Sequence, residues 1–127
     1  HIRGQLEAIS TLQDLAKNEE AAERYAQIAD HIGLGGTTTA EKVDALIAEL
    51  RSMNDQLDIP QAIKFYGAGG VKAETSIIDE AEFLEKLPTV AANAIGDACT
   101  GSNPRQPSQE EMEKLLKACY YDLEIDF

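Results

Sequence analysis

The sequence predicts an all-α fold, a compact bundle of about six or seven helices, and three observations predict it. Apolar residues recur in steps of three and four along most of the chain. Two capping boxes, Thr38-Thr39-Ala40-Glu41 and Ser108-Gln109-Glu110-Glu111, mark helix starts. The one segment with an extended character, Ser76-Ile77-Ile78, has no second strand to pair with.

Each element follows in order. From Ile2 to Leu15, Ile2, Leu6, Ile9, Leu12 and Leu15 make one apolar stripe, the mark of a first helix. Asn18 is a fitting cap for the next, with Glu19 and Glu20 in its positive first turn. Ala22, Tyr25, Ile28, Ala29 and Ile32 are its expected inner face, and Gly33 its stop. Leu34 to Thr37 reads as a turn. Thr38 then caps the clearest helix, whose stripe is Val43, Leu46, Ile47, Leu50, Met53 and Leu57. Glu41, Asp44, Glu49, Arg51 and Asp55 should face solvent. Ile59-Pro60 stops this helix, because the residue before proline avoids the α region.

Pro60 suits the first turn of a short helix through Tyr66, which Gly67-Ala68-Gly69-Gly70 would end. Asp79 is a cap for a helix from Glu80 to Leu87, with Ala81, Leu84 and Leu87 inward. Pro88 is expected to interrupt it and to restart a helix towards Ala98. Cys99 to Pro107 is a polar loop. The last helix begins at Ser108 and turns Met112, Leu115, Leu116 and Cys119 inward, before a mixed tail from Tyr120 to Phe127. With no repeat and no low-complexity linker, residues 1–127 are expected to form a single helical domain. The chain begins His1-Ile2-Arg3 with no Met, as a trimmed, tagged or partial chain would.

Composition narrows the function. Lys plus Arg number 11 against 23 Asp plus Glu, a net charge of −12, which disfavours nucleic acid and anionic membranes as partners. No apolar run approaches the roughly 18 residues of a membrane span. Cys99 and Cys119 are too few for a secreted disulfide framework and lack CxxC spacing, so reduced thiols and a cytoplasmic setting are expected. His31, beside Asp30 at a helix end, reads as a dipole partner rather than a metal ligand. Gly67 to Gly70 follows a helix rather than a strand, so it reads as a helix-ending loop and not a phosphate cradle. The pairs Glu19-Glu20 and Glu110-Glu111 sit in first helical turns, which accounts for them without acid–base chemistry. No residue is assigned as catalytic or as a metal ligand.

The stretch Asp97-Ala98-Cys99-Thr100-Gly101-Ser102-Asn103-Pro104-Arg105 stands apart: a helix end, a thiol, small polar residues and an Asn-Pro turn. One reading is a well-capped loop with Arg105 paired to Asp97. The other is a pocket edge, where small residues leave room for a ligand beside Cys99. Residue types alone favour the first.

The run Cys99 to Arg105, with Met112, Leu115 and Leu116 after it, closely resembles the C-terminal end of iron-containing alcohol dehydrogenases. Glu23 to Gly33, Leu57-Asp58-Ile59-Pro60 and Asn93 to Ala98 are similar to that family in the same order, so the resemblance covers about residues 20–127. It implies the C-terminal part of a dehydroquinate-synthase-like helical domain, partnered by an N-terminal nucleotide-binding domain of the same enzyme. It implies Fe²⁺ and NAD(P) held mainly by residues outside this chain, and a parent enzyme that interconverts short alcohols or diols with aldehydes. It places Cys99, Thr100 and Gly101 at the substrate pocket, which reverses the preference above, and implies a homo-oligomer. The family's last His ligand would fall near His1, but His1-Ile2-Arg3-Gly4 departs from the family's pattern and His1 is not assigned. This segment alone is expected to be inactive, a helical wall and one edge of a pocket. The alternative from another class is a stand-alone helical protein-interaction module without catalysis.

Overall fold

A computed structural model describes residues 19–66 and 76–125. Four α-helices run through them: α1 (Glu19–His31), α2 (Thr39–Gln56), α3 (Glu80–Ile95) and α4 (Gln109–Tyr121). Two 3-10 turns, Ile63–Phe65 and Thr100–Ser102, join them, and no strand occurs among the described residues. The described residues are all-α as predicted, and the four α-helices among them do not confirm the six or seven expected of the whole chain. The predicted helix from Ile2 to Leu15 and the loop Gly67 to Gly70 lie outside the described residues.

Local chemistry sets the helix ends. Thr38 Oγ1 accepts the Glu41 N–H (3.2 Å) while the Glu41 carboxylate accepts the Thr38 N–H (3.1 Å), which closes the first capping box. Ser108 and Glu111 close the second in the same way. Asp79 caps α3 by accepting the Glu82 N–H at 2.9 Å. At the other end of α1, Gly33 adopts φ 76°, and the Leu34 and Gly33 N–H groups donate back to Ala29 and Asp30 carbonyls. Asp58 and Asp122 hold the same left-handed position after α2 and α4, at φ 57° and 58°. The second helix thus ends before Pro60, at a left-handed aspartate.

Packing makes two antiparallel pairs. The first two helices join around Ala29 and Leu46, with Tyr25, Leu34, Ile47 and Leu50 against them. The last two join around Leu87, Ala91 and Leu116, flanked by Phe83, Val90 and Met112. Small side chains carry the inner face of α1: Ala21, Ala22, Ala26 and Ala29 are buried, whereas the expected Ile28 and Ile32 are 47% and 51% exposed. Alanines let two helix backbones approach closely, so the stripe turns towards them. Met53 and Leu57 at the end of the α2 stripe are likewise exposed, as are Ala81 and Leu84 on α3.

Two other expectations are corrected. Pro60 does not open a helix; Gln61 and Ala62 form a bend, Ala62 is extended, and only Ile63–Phe65 winds. Pro88 does not break α3, which continues to Ile95 and ends at Gly96 rather than near Ala98. Pro88 is exposed, and Leu84, the residue whose carbonyl loses its N–H partner there, is exposed as well. Water can take the missing donor's place, which makes the interruption survivable.

The two pairs are tied through the segment before α3. The buried Tyr120 donates its hydroxyl to the Ile78 carbonyl (2.7 Å) and stacks on Phe83 at 4.1 Å between ring centroids. Tyr121 donates to Glu80 (2.7 Å), and that bond, with burial, pushes its phenol up to about 12. Lys64 lies 6.0 Å from the Tyr121 ring, and Arg51 on α2 meets Asp122 at 3.3 Å. Ser76 and Ile77 do not form a strand; the Ile77 N–H and the Ser76 hydroxyl donate to the Lys64 carbonyl.

Candidate functional site

The loop from Asp97 to Pro107 connects α3 to α4, and its first half is folded by its own side chains. Asp97 Oδ1 accepts the Cys99 N–H at 2.8 Å, and the Thr100 N–H donates to the Asp97 carbonyl at 3.1 Å. Thr100 Oγ1 reaches back to the Ala94 carbonyl at 2.6 Å, pinning the turn to the end of α3. Ser102 donates its hydroxyl (2.7 Å) and its N–H (3.2 Å) to the Cys99 carbonyl. These bonds wind Thr100–Ser102 into a 3-10 turn with Cys99 at its start.

The second half leans on α4. Arg105 pairs with Glu111 rather than with Asp97, whose carboxylate already serves the Cys99 N–H. Glu111 is held below the ordinary carboxylate range, first by the Ser108 N–H that donates to it and then by Arg105. One side chain does double duty here, capping α4 and anchoring the loop.

The structure therefore brings Cys99, Thr100 and Gly101 onto one short turn. Cys99 is an exposed thiol, Thr100 is half-buried, and Gly101 is exposed. A Cβ on Gly101 would meet nothing within 4 Å, and its φ is not in the left-handed region. Open space beyond the turn means that a pocket there needs a second wall from outside the described residues. Cys119 is buried, in α4, and neither cysteine forms a disulfide. Sequence reasoning missed Asp97 and Gln106 as organisers of the turn. The Asp-x-Cys spacing is that of an Asx turn and could have exposed the first; Gln106 carries no local signature.

His31 is exposed at the end of α1. Among the described residues no three His, Cys, Asp or Glu side chains converge as a metal site requires. Among them, too, no helix is long and apolar enough to cross a membrane.

The chain is 43% identical over 110 residues to an NADPH-dependent butanol dehydrogenase from Clostridium saccharobutylicum, covering 87% of this chain and 26% of that protein. It is 38% identical over 104 residues to the bifunctional aldehyde-alcohol dehydrogenase AdhE of Escherichia coli (strain K12), covering 80% of this chain and 10% of that one. An alcohol dehydrogenase from Thermococcus barophilus is 32% identical over 106 residues, covering 84% of this chain and 23% of its own. The chain thus spans about a quarter or less of the length of these relatives. They do not favour the alternative of a stand-alone interaction module. Residues 7–120 match the C-terminal part of the Fe-containing alcohol dehydrogenase family, and the chain belongs to that family.

Proposed function

We propose that the chain is the helical C-terminal part of an iron-dependent, NAD(P)-linked alcohol dehydrogenase that interconverts short alcohols or diols with aldehydes. Residues 1–127 act as one helical domain, partnered by an N-terminal nucleotide-binding domain in a cytoplasmic homo-oligomer. The observation that carries this reading is the family match over residues 7–120, joined to 43% identity with a relative named as a butanol dehydrogenase.

The described residues do not fit an iron site, because they bring no three ligating side chains together. Iron and nicotinamide would be held elsewhere, and the part assigned to this chain is a wall. Helices α3 and α4 form a rigid support, with Leu87, Ala91 and Leu116 packed between them. The Cys99-Thr100-Gly101 turn, pinned to that support at Ala94 and Asp97, is one edge of the substrate pocket. Small side chains there leave room for a short aldehyde, and a turn fixed by its own hydrogen bonds excludes water without moving.

The test uses the longest gene product that contains this chain, supplied with ferrous iron. Oxidation of NADH or NADPH is followed with butanal, propanal and lactaldehyde. Turnover that depends on both the metal and an aldehyde is expected. No turnover with any of these aldehydes, across several divalent metals and both cofactors, would contradict the proposal.

A further inference from the structure

The Gln106 side chain reaches back to the turn. Its Nε2 lies 3.1 Å from the Thr100 carbonyl, 3.2 Å from that of Gly101 and 3.0 Å from that of Asn103. A side-chain amide has two hydrogens, so three oxygens share them. The Thr100 carbonyl, at the start of the 3-10 turn, also accepts the Asn103 N–H at 3.1 Å, whereas the Gly101 and Asn103 carbonyls lie where the helical ladder runs out of donors.

We infer that Gln106 is a positioning residue for the pocket edge, holding the Gly101 peptide in the orientation that faces substrate; this rests on the function proposed above. The bonds from Ala94 and Asp97 fix where the turn begins. Gly101 has no side chain of its own to anchor it and no neighbour within 4 Å of its Cβ position. The Gln106 amide supplies the hold that packing does not. Gln106 is exposed, so these bonds compete with water and add little to folding. Their effect is on geometry, and a small displacement at a reacting substrate is costly in rate or affinity.

Two substitutions separate these effects. Gln106→Glu keeps the shape and sets an acceptor-only carboxylate against three carbonyl oxygens, so the turn opens. Gln106→Lys keeps a donor that reaches the same oxygens. In the longest gene product that contains this chain, Gln106→Glu is expected to raise the aldehyde KM about fivefold. The turnover number, the cofactor KM and the thermal midpoint should stay unchanged, and Gln106→Lys should restore most of the loss. An unchanged aldehyde KM in Gln106→Glu, or an equal loss in Gln106→Lys, overturns the inference. If the unsubstituted protein reduces no aldehyde, the functional reading falls separately, and the hold itself is read by amide hydrogen exchange. Faster exchange at Ser102 and Asn103 in Gln106→Glu alone, with α4 unchanged, supports the role of Gln106; equal rates overturn it.

Discussion

Glu41 accepts hydrogen bonds from the Thr37 N–H (2.8 Å), the Thr37 hydroxyl (2.7 Å) and the Thr38 N–H (3.1 Å). Those donors, the Thr37 N–H first, hold its carboxyl down from 4.5 to about 2. A depressed pKa in the folded state stabilises the fold while the carboxylate is charged. That contribution is whole above pH 4.5 and is lost as pH falls through about 2. Glu41→Gln should therefore lower the thermal midpoint at pH 7, with the gap to the parent closing between pH 4.5 and 2. A gap independent of pH would contradict this account of the cap. Gly33 tests the other end of a helix. Its φ is 76° and a Cβ would touch nothing, so Gly33→Ala has only a conformational cost, about 1 kcal/mol in chemical denaturation. Residues such as Thr38, Ser108 and Gly33 were legible in the sequence because their chemistry is local. Asp58 and Asp122, in the same left-handed position, were not, since aspartate occupies helix starts and turns as readily.

At the scale of elements, the test is Pro88. An interior proline costs a helix a hydrogen bond and a clash with the preceding turn, yet α3 passes through it. Pro88→Ala should stabilise the chain by about 1–2 kcal/mol, the helical gain being offset in part by a looser unfolded state. Urea denaturation reads this directly, and a loss of stability would contradict it. The sequence predicted a break because proline usually makes one; it carries no sign that the residue faces water. The same blindness explains the α1 stripe. Periodicity marks Ile28 and Ile32 as well as Ala22 and Ala29, and only the close approach of α2 decides that the alanines lie inside. Helix existence and type followed from pattern, whereas the buried face followed from packing.

Across the described residues, Arg51 on α2 meets Asp122 beyond α4, Lys64 after α2 lies by the Tyr121 ring, and Tyr120 holds the segment before α3 at Ile78. None is visible in sequence, because each joins residues far apart in the chain. The candidate site was legible in a different way. Residue types alone favoured an ordinary loop closed by Arg105 and Asp97, and Arg105 in fact pairs with Glu111. What marked Cys99, Thr100 and Gly101 was likeness to a family, and residues 7–120 match that family. Physical reasoning adds how the turn is built: Asp97, Thr100 and Ser102 fold it, and Gln106 closes it.

The most direct test of the account fills the space beyond that turn. Gly101→Val adds bulk where a Cβ meets nothing within 4 Å and where the backbone tolerates a side chain. In a gene product with aldehyde reductase activity, the substitution should leave unfolding within about 0.5 kcal/mol of the parent. It should raise the aldehyde KM about tenfold or more, since the added methyls would occupy the pocket edge. An aldehyde KM that stays the same, with the fold intact, would contradict the placement of this turn at the substrate.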